Sequence, residues 1–300
     1  MQTKKVAKIH IAGPDKCGII ATITNFLFKN QCNIEDIDQR IHDDFLIMNM
    51  VIDYSDLKIP LATLTQTLKL EAQKVGCQSQ LKVENQNQLK NLVILVTKES
   101  HCLETLLNDL KDKKLKGKLA AIIGNYEDLK PLAIKHKIPF HLVPSVNRKK
   151  HEQEILKLLD SYETDLVVLA RYMQILSPDF VFRYEGRIIN IHPSLLPAFP
   201  GPRSYHQAFN KGVEIAGVTS HFVTTDLDEG PIITQEYYRV EKGKDTPESM
   251  VKKGRLLEAK ALSRAVKLFL SDRLVLRRGK VLDKKFVEKL SIAETEETSL

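Results

Sequence analysis

Alternation of apolar and polar positions divides the first 84 residues into short elements. Residues 4–12, 33–42 and 45–54 have the period of two that strands show, and a last short strand is expected close to residue 80. Two segments between these strands space their apolar residues as helices do, and the second ends at Gly76, a residue suited to a helix C-terminus. The order β-α-β-β-α-β predicts a ferredoxin-like unit.

The pattern changes beyond the polar segment ENQNQLKN, which we interpret as a linker. Strands then alternate with helices as far as residue 192, which is the order of a mainly parallel sheet. Two longer strands, 213–223 and 230–240, are expected to pair antiparallel before a long final helix. The chain is therefore predicted to be an α/β protein.

The length agrees with this division, because 300 residues suit about two domains. We predict a first domain at 1–84, a second at 85–290, and an acidic, disordered tail at 291–300. Hydrophobic residues make up 43% of the chain and charged residues 28%, as in ordinary globular proteins. Intrinsic disorder, collagen and coiled coil are thereby excluded for the chain as a whole.

Cellular setting is indicated by several small observations. The longest apolar runs, such as LVILV, are far shorter than the ~20 residues that cross a bilayer, and the N-terminal residues lack a secretory signal. Four cysteines without a CxxC pair predict neither a disulfide framework nor structural zinc. The net charge of +7 is not concentrated in basic blocks interleaved with aromatic residues. We expect a reduced, cytoplasmic protein without membrane or nucleic-acid partners.

The densest candidate site is the stretch NIHPSLLP at the end of the strand RIINI. Ligands of open α/β sheets bind at the carboxyl ends of strands. Strand alternation puts Asn190 and His192 on one face. An Asn amide can donate to a developing oxyanion, and a His transfers protons near neutral pH. The residues alone leave open whether the pair is catalytic or only a set of hydrogen bonds within a loop.

A second candidate is the acidic segment TDLDEGPII between the two long strands. In isolation it predicts a solvated hairpin turn. Its functional interpretation is a carboxylate, Asp228, that orients and charge-stabilises a histidine. His221 on the preceding strand is expected either in the wall of that site or in the core. Cys102, close to a helix start, is expected to be a structural thiol, with a reactive thiol as the alternative.

NIHPSLLP and the aspartate of LDEGPII, 36 residues beyond His192, together resemble the folate-dependent formyltransferase domain. This resemblance implies a Rossmann-like fold with a mostly parallel sheet. It assigns the catalytic Asn, His and Asp of that family to Asn190, His192 and Asp228.

The stretch LARYMQILSPDFV resembles the folate-pocket segment of the same family. The resemblance implies that Met173, Ile175 and Leu176 contact the pterin. Gln174 stands where many relatives carry a basic residue, so the neighbouring Arg171 is the candidate partner for a substrate carboxylate.

The branch of the family is indicated by two further segments. A transformylase needs a glycine-rich loop after its first strand to hold the phosphate of its acceptor, but here LVILVT runs into KESHCL. The N-terminal unit, with GPDKCGIIATIT at its first turn, resembles an ACT regulatory domain. An ACT domain followed by KESHCL and this catalytic domain resembles the formyltetrahydrofolate deformylases.

That resemblance implies hydrolysis of 10-formyltetrahydrofolate to formate and tetrahydrofolate, which supplies formate for purine synthesis. The small-molecule folate would be the substrate, and neither a metal nor a bound cofactor is expected. Two alternatives stay open: a formyltransferase with an unidentified amine acceptor, and a non-catalytic folate or amino-acid sensor.

The ACT resemblance also implies a small amino acid as effector, with glycine and methionine as candidates. Its pocket is expected near the first β–α turn, at Gly13, Asp15 and Gly18, with Asn33 at the start of the second strand. A unit this small buries a low fraction of its own surface, so we predict a homo-oligomer joined partly through these domains.

Overall fold

The computed structural model describes residues 4–42, 44–83, 89–277 and 279–284. The chain divides into two compact units, residues 1–88 and 89–300. The predicted disordered tail at 291–300 lies outside the described residues. Within the described ranges, no helix combines the length and the apolar character that a membrane crossing requires.

The first unit has the predicted order of elements. Its strands form one antiparallel sheet with the order β2-β3-β1-β4. Two helices supply the apolar residues that cover one face of this sheet. The elements are β1 (Val6–Pro14), α1 (Ile19–Lys29), β2 (Asn33–His42), β3 (Phe45–Asp53), α2 (Leu61–Lys74) and β4 (Gln78–Val83).

Three glycines fix the turns of this unit. Gly18 precedes α1 with φ +92°, and Gly76 follows α2 with φ +78°, as the sequence predicts for a residue past a helix end. A Cβ atom on Gly13 would lie 2.8 Å from the carbonyl oxygen of Gly76. The end of β1 and the turn after α2 therefore approach each other too closely for any side chain.

The second unit is a larger α/β domain, whose sheet has the order β11-β10-β9-β8-β5-β6-β7. Strands β5 to β9 run parallel, and β10 and β11 pair antiparallel at one edge, as predicted. Its elements begin with β5 (Lys90–Val96), α3 (His101–Lys111), β6 (Gly117–Gly124), α4 (Lys130–Lys135), β7 (Phe140–Leu142), α5 (Arg148–Ser161) and β8 (Leu166–Ala170). They continue with α6 (Pro178–Arg183), β9 (Ile188–His192), α7 (Ser204–Asn210), β10 (Ile215–Phe222), β11 (Ile232–Arg239), α8 (Pro247–Leu270), β12 (Leu274–Arg277) and β13 (Lys280–Asp283).

The sheet of the second unit is buried on both faces. Ile94 and Val96 of β5 pack with α3 and α8, whereas Val93 and Leu95 pack with α5 and α6. The central parallel strands β5 and β8 are apolar over Leu92–Val96 and Leu166–Ala170 for this reason, as two-sided burial demands. Polar side chains accumulate instead in the loops beyond the carboxyl ends of the strands.

Helices α6 and α7 and the hairpin β12–β13 were not predicted. The two helices have six and seven residues, too few to repeat an apolar period. Each strand of the hairpin has four residues.

Candidate active site

Asn190 and His192 are among the last three residues of β9, at the carboxyl edge of the parallel sheet. Ile188, two residues before Asn190, packs into the core on the α5 and α6 side, and Ile189 and Ile191 pack on the other side. Strand alternation therefore gives the two polar side chains a shared face, as predicted. His192 is buried, with 5% of its surface exposed.

The loop between β10 and β11 brings Asp228 to His192. Oδ2 of Asp228 lies 3.2 Å from Nδ1 of His192 and accepts a hydrogen bond from the N–H of Gly201 at 2.9 Å. Burial alone would raise the pKa of Asp228, but the hydrogen bonds from His192 and Gly201 outweigh it. The pKa of Asp228 therefore lies below its usual value, and the group is a carboxylate at neutral pH.

Both ring nitrogens of His192 face acceptors. Nδ1 faces the Asp228 carboxylate, and Nε2 faces the carbonyl oxygen of Phe199 at 3.0 Å. The hydroxyl of Ser204 lies 3.3 Å from the same Nε2. Either ring nitrogen of His192 therefore has an acceptor to which its N–H can donate.

His221 orients the amide of Asn190, a role that the sequence left open between site and core. The register of β9 and β10 pairs His221 directly with Asn190. Burial lowers the pKa of His221, so its ring is neutral at neutral pH. Nδ1 donates to the carbonyl of Phe222 at 2.9 Å, which leaves Nε2 to accept from Nδ2 of Asn190 at 3.2 Å.

Left-handed backbone conformations accumulate around this group. Asp228 has φ +58°, and Arg171, Phe199 and Arg203 have φ +59°, +55° and +56°. Such conformations cost about 1 kcal/mol or more per residue outside glycine and tend to be retained where function requires the geometry. Gly230 completes the loop, because a Cβ atom there would lie 1.7 Å from the carbonyl oxygen of Phe222.

The predicted folate segment lines a cavity of about 230 Å³ at the same edge of the sheet. Met173 and Ile175 are 58% and 64% exposed, whereas Leu176 is buried. The segment is anchored where Thr97 Oγ1 accepts from the N–H of Met173 at 2.9 Å. Arg148 also lines this cavity, and sequence reasoning missed it because it resembles any surface charge at a helix start.

Two residues that the sequence analysis did not select hold this segment against α5. Glu152 accepts from the N–H of Ser177 at 2.7 Å and from its hydroxyl, and Nε of Arg148 donates to Glu152 at 3.3 Å. His151 is hydrogen-bonded to the hydroxyl of Tyr172. Both His151 and Glu152 are buried, and their signal in the sequence is a His-Glu pair on the apolar face of an amphipathic helix.

Arg171 lies beside a buried carboxylate. Its Nε is 3.4 Å from Oε2 of Glu258, and Arg171 does not line the 230 Å³ cavity. The prediction that Arg171 contacts substrate stays a prediction. Glu258 has a signal in the sequence, because it interrupts a buried stripe of α8 that includes Met250, Gly254, Leu262 and Val266.

One further group offers metal-ligating atoms. Ligand atoms of His101, Cys102 and Glu258 lie within 4.8 Å of one another. Burial raises the pKa of the Cys102 thiol, so it is protonated at neutral pH and supports the structural interpretation of this residue. The guanidinium of Arg171 already supplies a cation to Glu258. These partners disfavour a bound metal cation.

The structure brings only part of the predicted effector site together. Gly13, Asp15 and Gly18 lie at the turn between β1 and α1. Asn33 pairs with Asp53 at the far end of β3, whereas Gly13 pairs with Leu46 at its near end. Seven residue-to-residue steps lead from Leu46 to Asp53, or roughly 24 Å at about 3.4 Å per step. Within one copy, Asn33 is therefore remote from the turn.

Comparison with known proteins defines the class of both units. The family model described as formyl transferase matches residues 90–266, and a model of the ACT domain matches residues 7–82. The second unit is a formyl transferase domain, and the first is an ACT domain.

Full-length relatives narrow the assignment. The chain is 37% identical over 280 residues to formyltetrahydrofolate deformylase of Bacillus subtilis (strain 168), covering 92% of each chain. The crystal structure of a formyltetrahydrofolate deformylase from Pseudomonas syringae pv. tomato matches with TM-score 0.64 and 34% identity, over 94% of this chain and 95% of that one. Glycinamide ribonucleotide transformylase 1 from Symbiobacterium toebii matches with TM-score 0.62 and 31% identity, over 65% of this chain and 94% of that one. The chain belongs to the formyltetrahydrofolate deformylases, a family of hydrolases.

Proposed function

We propose that the second unit hydrolyses 10-formyltetrahydrofolate to formate and tetrahydrofolate, and so releases formate for purine synthesis. The observation that carries this proposal is the convergence of Asn190, His192 and Asp228 at one edge of the sheet, with an ionised Asp228 at 3.2 Å from His192. These groups supply a hydrogen-bond donor, a proton carrier and a base to a formyl amide without an amine acceptor.

Asn190 and His192 stabilise the oxyanion. Attack on the formyl carbon places negative charge on the formyl oxygen, and donors arranged in advance around that oxygen lower the barrier. Because one N–H of Asn190 Nδ2 donates to His221, its amide is held in one orientation and its second N–H is left for the substrate. His192 lies on the same face of β9 and donates a ring N–H to the same oxygen.

Asp228 positions and deprotonates the attacking water. Water oxygen bonds to the formyl carbon, the bond from that carbon to N10 breaks, and N10 takes up a proton as it leaves. One water proton ends on N10, and the other is released when formic acid ionises to formate. His192 delivers the proton to N10 directly or through a water, so every group required comes from the chain and the solvent.

The 230 Å³ cavity accommodates part of the folate beside this site. Met173, Ile175 and Leu176 offer apolar surface to the pterin, and Arg148 supplies a cation for a carboxylate of the glutamyl tail. Arg148→Gln should raise KM about tenfold with little change in kcat, because a charged hydrogen bond is worth ~1.5–3 kcal/mol. Lys149→Gln, an exposed neighbour, is the matched control, and an equal KM in both variants would remove Arg148 from the site.

The decisive experiment follows formate and tetrahydrofolate from purified full-length chain. We expect equal amounts of the two products, and no acceleration when glycinamide ribonucleotide is added. Formylated ribonucleotide formed at a rate comparable with formate would favour a transferase. Absence of both products at saturating substrate would favour a folate sensor.

The first unit is proposed to bind a small amino acid and to join copies of the chain into a homo-oligomer. Gly18 leaves the start of α1 without a side-chain cap, so backbone N–H groups there can meet a carboxylate. A site that also used Asn33 would need two copies of the unit, because one copy holds the two regions at opposite ends of β3. This requirement links effector binding to oligomerisation.

Calorimetric titration of the full chain with glycine, methionine and other amino acids tests this role. We expect binding that changes folate affinity by about 5- to 150-fold, the usual range of allosteric coupling. Asn33→Ala should weaken the binding of the amino acid without altering turnover when no amino acid is present. If no amino acid binds, or if binding leaves folate affinity and turnover unchanged, the unit serves assembly alone.

A further inference from the structure

The wall of the 230 Å³ cavity contains a buried carboxylate that the proposed hydrolysis does not use. This carboxylate belongs to Glu152 on α5. Its Oε1 accepts from the N–H of Ser177 at 2.7 Å and from Nε of Arg148 at 3.3 Å. Its Oε2 accepts from the hydroxyl of Ser177. One carboxylate therefore holds both the folate segment and a cation of the same cavity.

The stability of α5 does not account for the pair of Arg148 and Glu152. Arg148 is the first residue of the helix, where the positive end of the helix dipole disfavours a cation. The two residues are four apart with the cation first, which is the weaker order for such a pair. Glu152 also brings a charge into the interior, and its partners must offset the cost. A pair that opposes these local preferences indicates a function beyond the helix.

The pair presents the guanidinium of Arg148 in one direction. Nε donates to Glu152, and neither terminal nitrogen has an acceptor among the residues that the structure describes. The side chain of Arg148 is 58% exposed, whereas that of Glu152 is 8% exposed. A guanidinium carries donors on more than one edge. Nε can therefore bond an internal carboxylate while the two terminal nitrogens bond an external carboxylate in a bidentate pair.

Arg148 is the single lysine or arginine around this cavity in the described part of the chain. Gln174, which also lines the cavity, is neutral and donates to the carbonyl of Met173 at 2.8 Å. Arg171 lies beside Glu258 instead. Recognition of an anionic group at this cavity therefore depends on Arg148 and on the residue that orients it.

We propose that Glu152 is a positioning residue that selects folates with a charged glutamyl tail, because it holds Arg148 with both terminal nitrogens available to a tail carboxylate. This inference rests on the proposed function, which places the folate in this cavity. Glu152 acts through Arg148 and does not touch the substrate. It restrains the Arg148 side chain before the folate binds, and so reduces the entropy that is lost on binding.

Two substrates separate this role from a purely structural one. The first is 10-formyltetrahydrofolate, and the second is an analogue with a neutral methylamide in place of the glutamyl group. Glu152→Gln keeps the size of the side chain and an oxygen for Ser177, but removes the charge that holds Arg148. We expect KM for the folate to rise about fivefold, the effect of one hydrogen bond, and kcat to change less than ~2-fold. KM for the analogue should change less than ~2-fold.

Two further substitutions are controls. Ser177→Ala removes the hydroxyl partner of Glu152 and leaves Arg148 in place, so any change in KM should be the same for both substrates. Glu154→Gln neutralises an exposed carboxylate on the same helix and should leave both KM values unchanged. An effect that requires both Glu152 and the glutamyl group then excludes a general change in helix charge or stability.

Two variants of Arg148 test whether Glu152 acts through it. Arg148→Gln combined with Glu152→Gln should have the KM of Arg148→Gln alone, because the two residues form one unit. Arg148→Lys should raise KM for the folate about fivefold, because an ammonium has a single nitrogen to divide between Glu152 and the substrate. Arg148→Lys changes an exposed side chain, so it tests the orientation of the cation even if Glu152→Gln does not fold.

Equal KM shifts for the folate and the analogue in Glu152→Gln would overturn the proposal. A lower KM for the folate in that variant would also overturn it, since Glu152 would then only neutralise Arg148. Multiplied effects in the double variant, or an unchanged KM in Arg148→Lys, would have the same consequence.

Calorimetric Kd values for tetrahydrofolate and its methylamide analogue give the same comparison without turnover. Glu152→Gln should weaken the binding of tetrahydrofolate about fivefold and leave that of the analogue unchanged. Absent tetrahydrofolate formation by the unaltered chain would end the proposed hydrolysis, whereas equal Kd shifts for the two ligands would end the positioning role of Glu152.

Discussion

Two histidine–carboxylate pairs lie at the carboxyl edge of the sheet in the second unit, and their surroundings differ. In the first, His192 lies 3.2 Å from Asp228. In the second, His101 lies 2.9 Å from Glu258. The first pair is mounted on a strand end and a strained loop, with φ +58° at Asp228. In the second pair, His101 is the first residue of α3 and Glu258 lies in the middle of α8.

Their charges are balanced in different ways. Glu258 has Arg171 and Tyr205 as additional partners, so its pair is saturated within the protein. The additional partner of Asp228 is a backbone N–H, and the nearby His221 is neutral because burial lowers its pKa. A histidine–carboxylate pair therefore serves chemistry where its neighbours leave donors and acceptors for substrate, and serves packing where they consume them.

Matched neutralisation of the two carboxylates should give the largest contrast. Asp228→Asn should lower kcat at least ~100-fold, because it removes a positioned acid–base group while keeping the shape of the side chain. His192→Ala should act similarly. Glu258→Gln should lower kcat less than ~10-fold, since its carboxylate does not touch the reacting atoms. Formate release in chloride buffer provides the measurement.

If Asp228→Asn retains more than about a third of the kcat of the unaltered chain, the contrast between the two pairs is wrong, and so is the catalytic role of Asp228. The contrast is equally wrong if the two variants lose activity to the same extent while both remain folded by circular dichroism.

Replacement of one glycine beside each histidine–carboxylate pair should affect activity in one case and stability in the other. A Cβ atom on Gly230 would meet the carbonyl of Phe222 at 1.7 Å, and one on Gly254 would meet the hydroxyl of Tyr205 at 1.8 Å. Gly230→Ala should displace the Asp228 loop and lower kcat ~30-fold or more, because small misplacements of catalytic groups are costly. Gly254→Ala should lower Tm but change kcat less than ~5-fold. Equal losses of kcat would contradict the separation.

Much of this contrast was accessible from the sequence. Alternation along RIINIH predicts the shared face of Asn190 and His192, and the apolar runs predict the order of strands and helices around them. The motif resemblance also supplied Asp228, whose distance from His192 along the chain conceals their contact. Local patterns succeed here because each element has a period long enough to repeat.

The rest depends on how separate elements meet. His221 acts through the register of β9 and β10, which pairs it with Asn190 rather than with a neighbour in the chain. Glu258 interrupts the apolar stripe of an amphipathic helix, but the helix pattern does not reveal its partners, which come from α3, α7 and the loop after β8. The prediction for Asn33 was wrong within one copy, because it placed Asn33 near the first β–α turn. The register of β3 puts Asn33 and that turn at opposite ends of the strand. Sequence periodicity contains no such long-range information.

Replacement of His221 tests the site of Asn190, His192 and Asp228, because His221 acts through Asn190. His221→Leu removes the acceptor that orients the Asn190 amide, and kcat should fall ~10-fold with KM changed less than ~3-fold, the effect of one hydrogen bond. His221→Gln should recover part of kcat, because its amide oxygen can accept from the same N–H. If both variants have equal kcat and differ only in Tm, the role of His221 is packing alone.

The smallest expected effect is the pH dependence of stability that His221 contributes. Burial lowers the pKa of His221 in the folded chain, so below about 6.5 the unfolded chain takes up a proton before the folded one does. The free energy of unfolding should be unaffected by this group above that pH and should decrease as the pH falls toward the lowered pKa. The slope is at most ~1.4 kcal/mol per pH unit, and His221→Gln should remove it.

Urea unfolding at several pH values between about 7 and 5 measures the difference in slope between the unaltered chain and His221→Gln. Tyrosine absorbance reports mainly the second unit, because Tyr54 is the one tyrosine of the first. Asp228 does not contribute in this window, since its lowered pKa affects stability only as the pH falls below about 4. Equal slopes in the two proteins would mean that His221 titrates alike in the folded and unfolded chains, and that its neutral state is not what holds Asn190 in place.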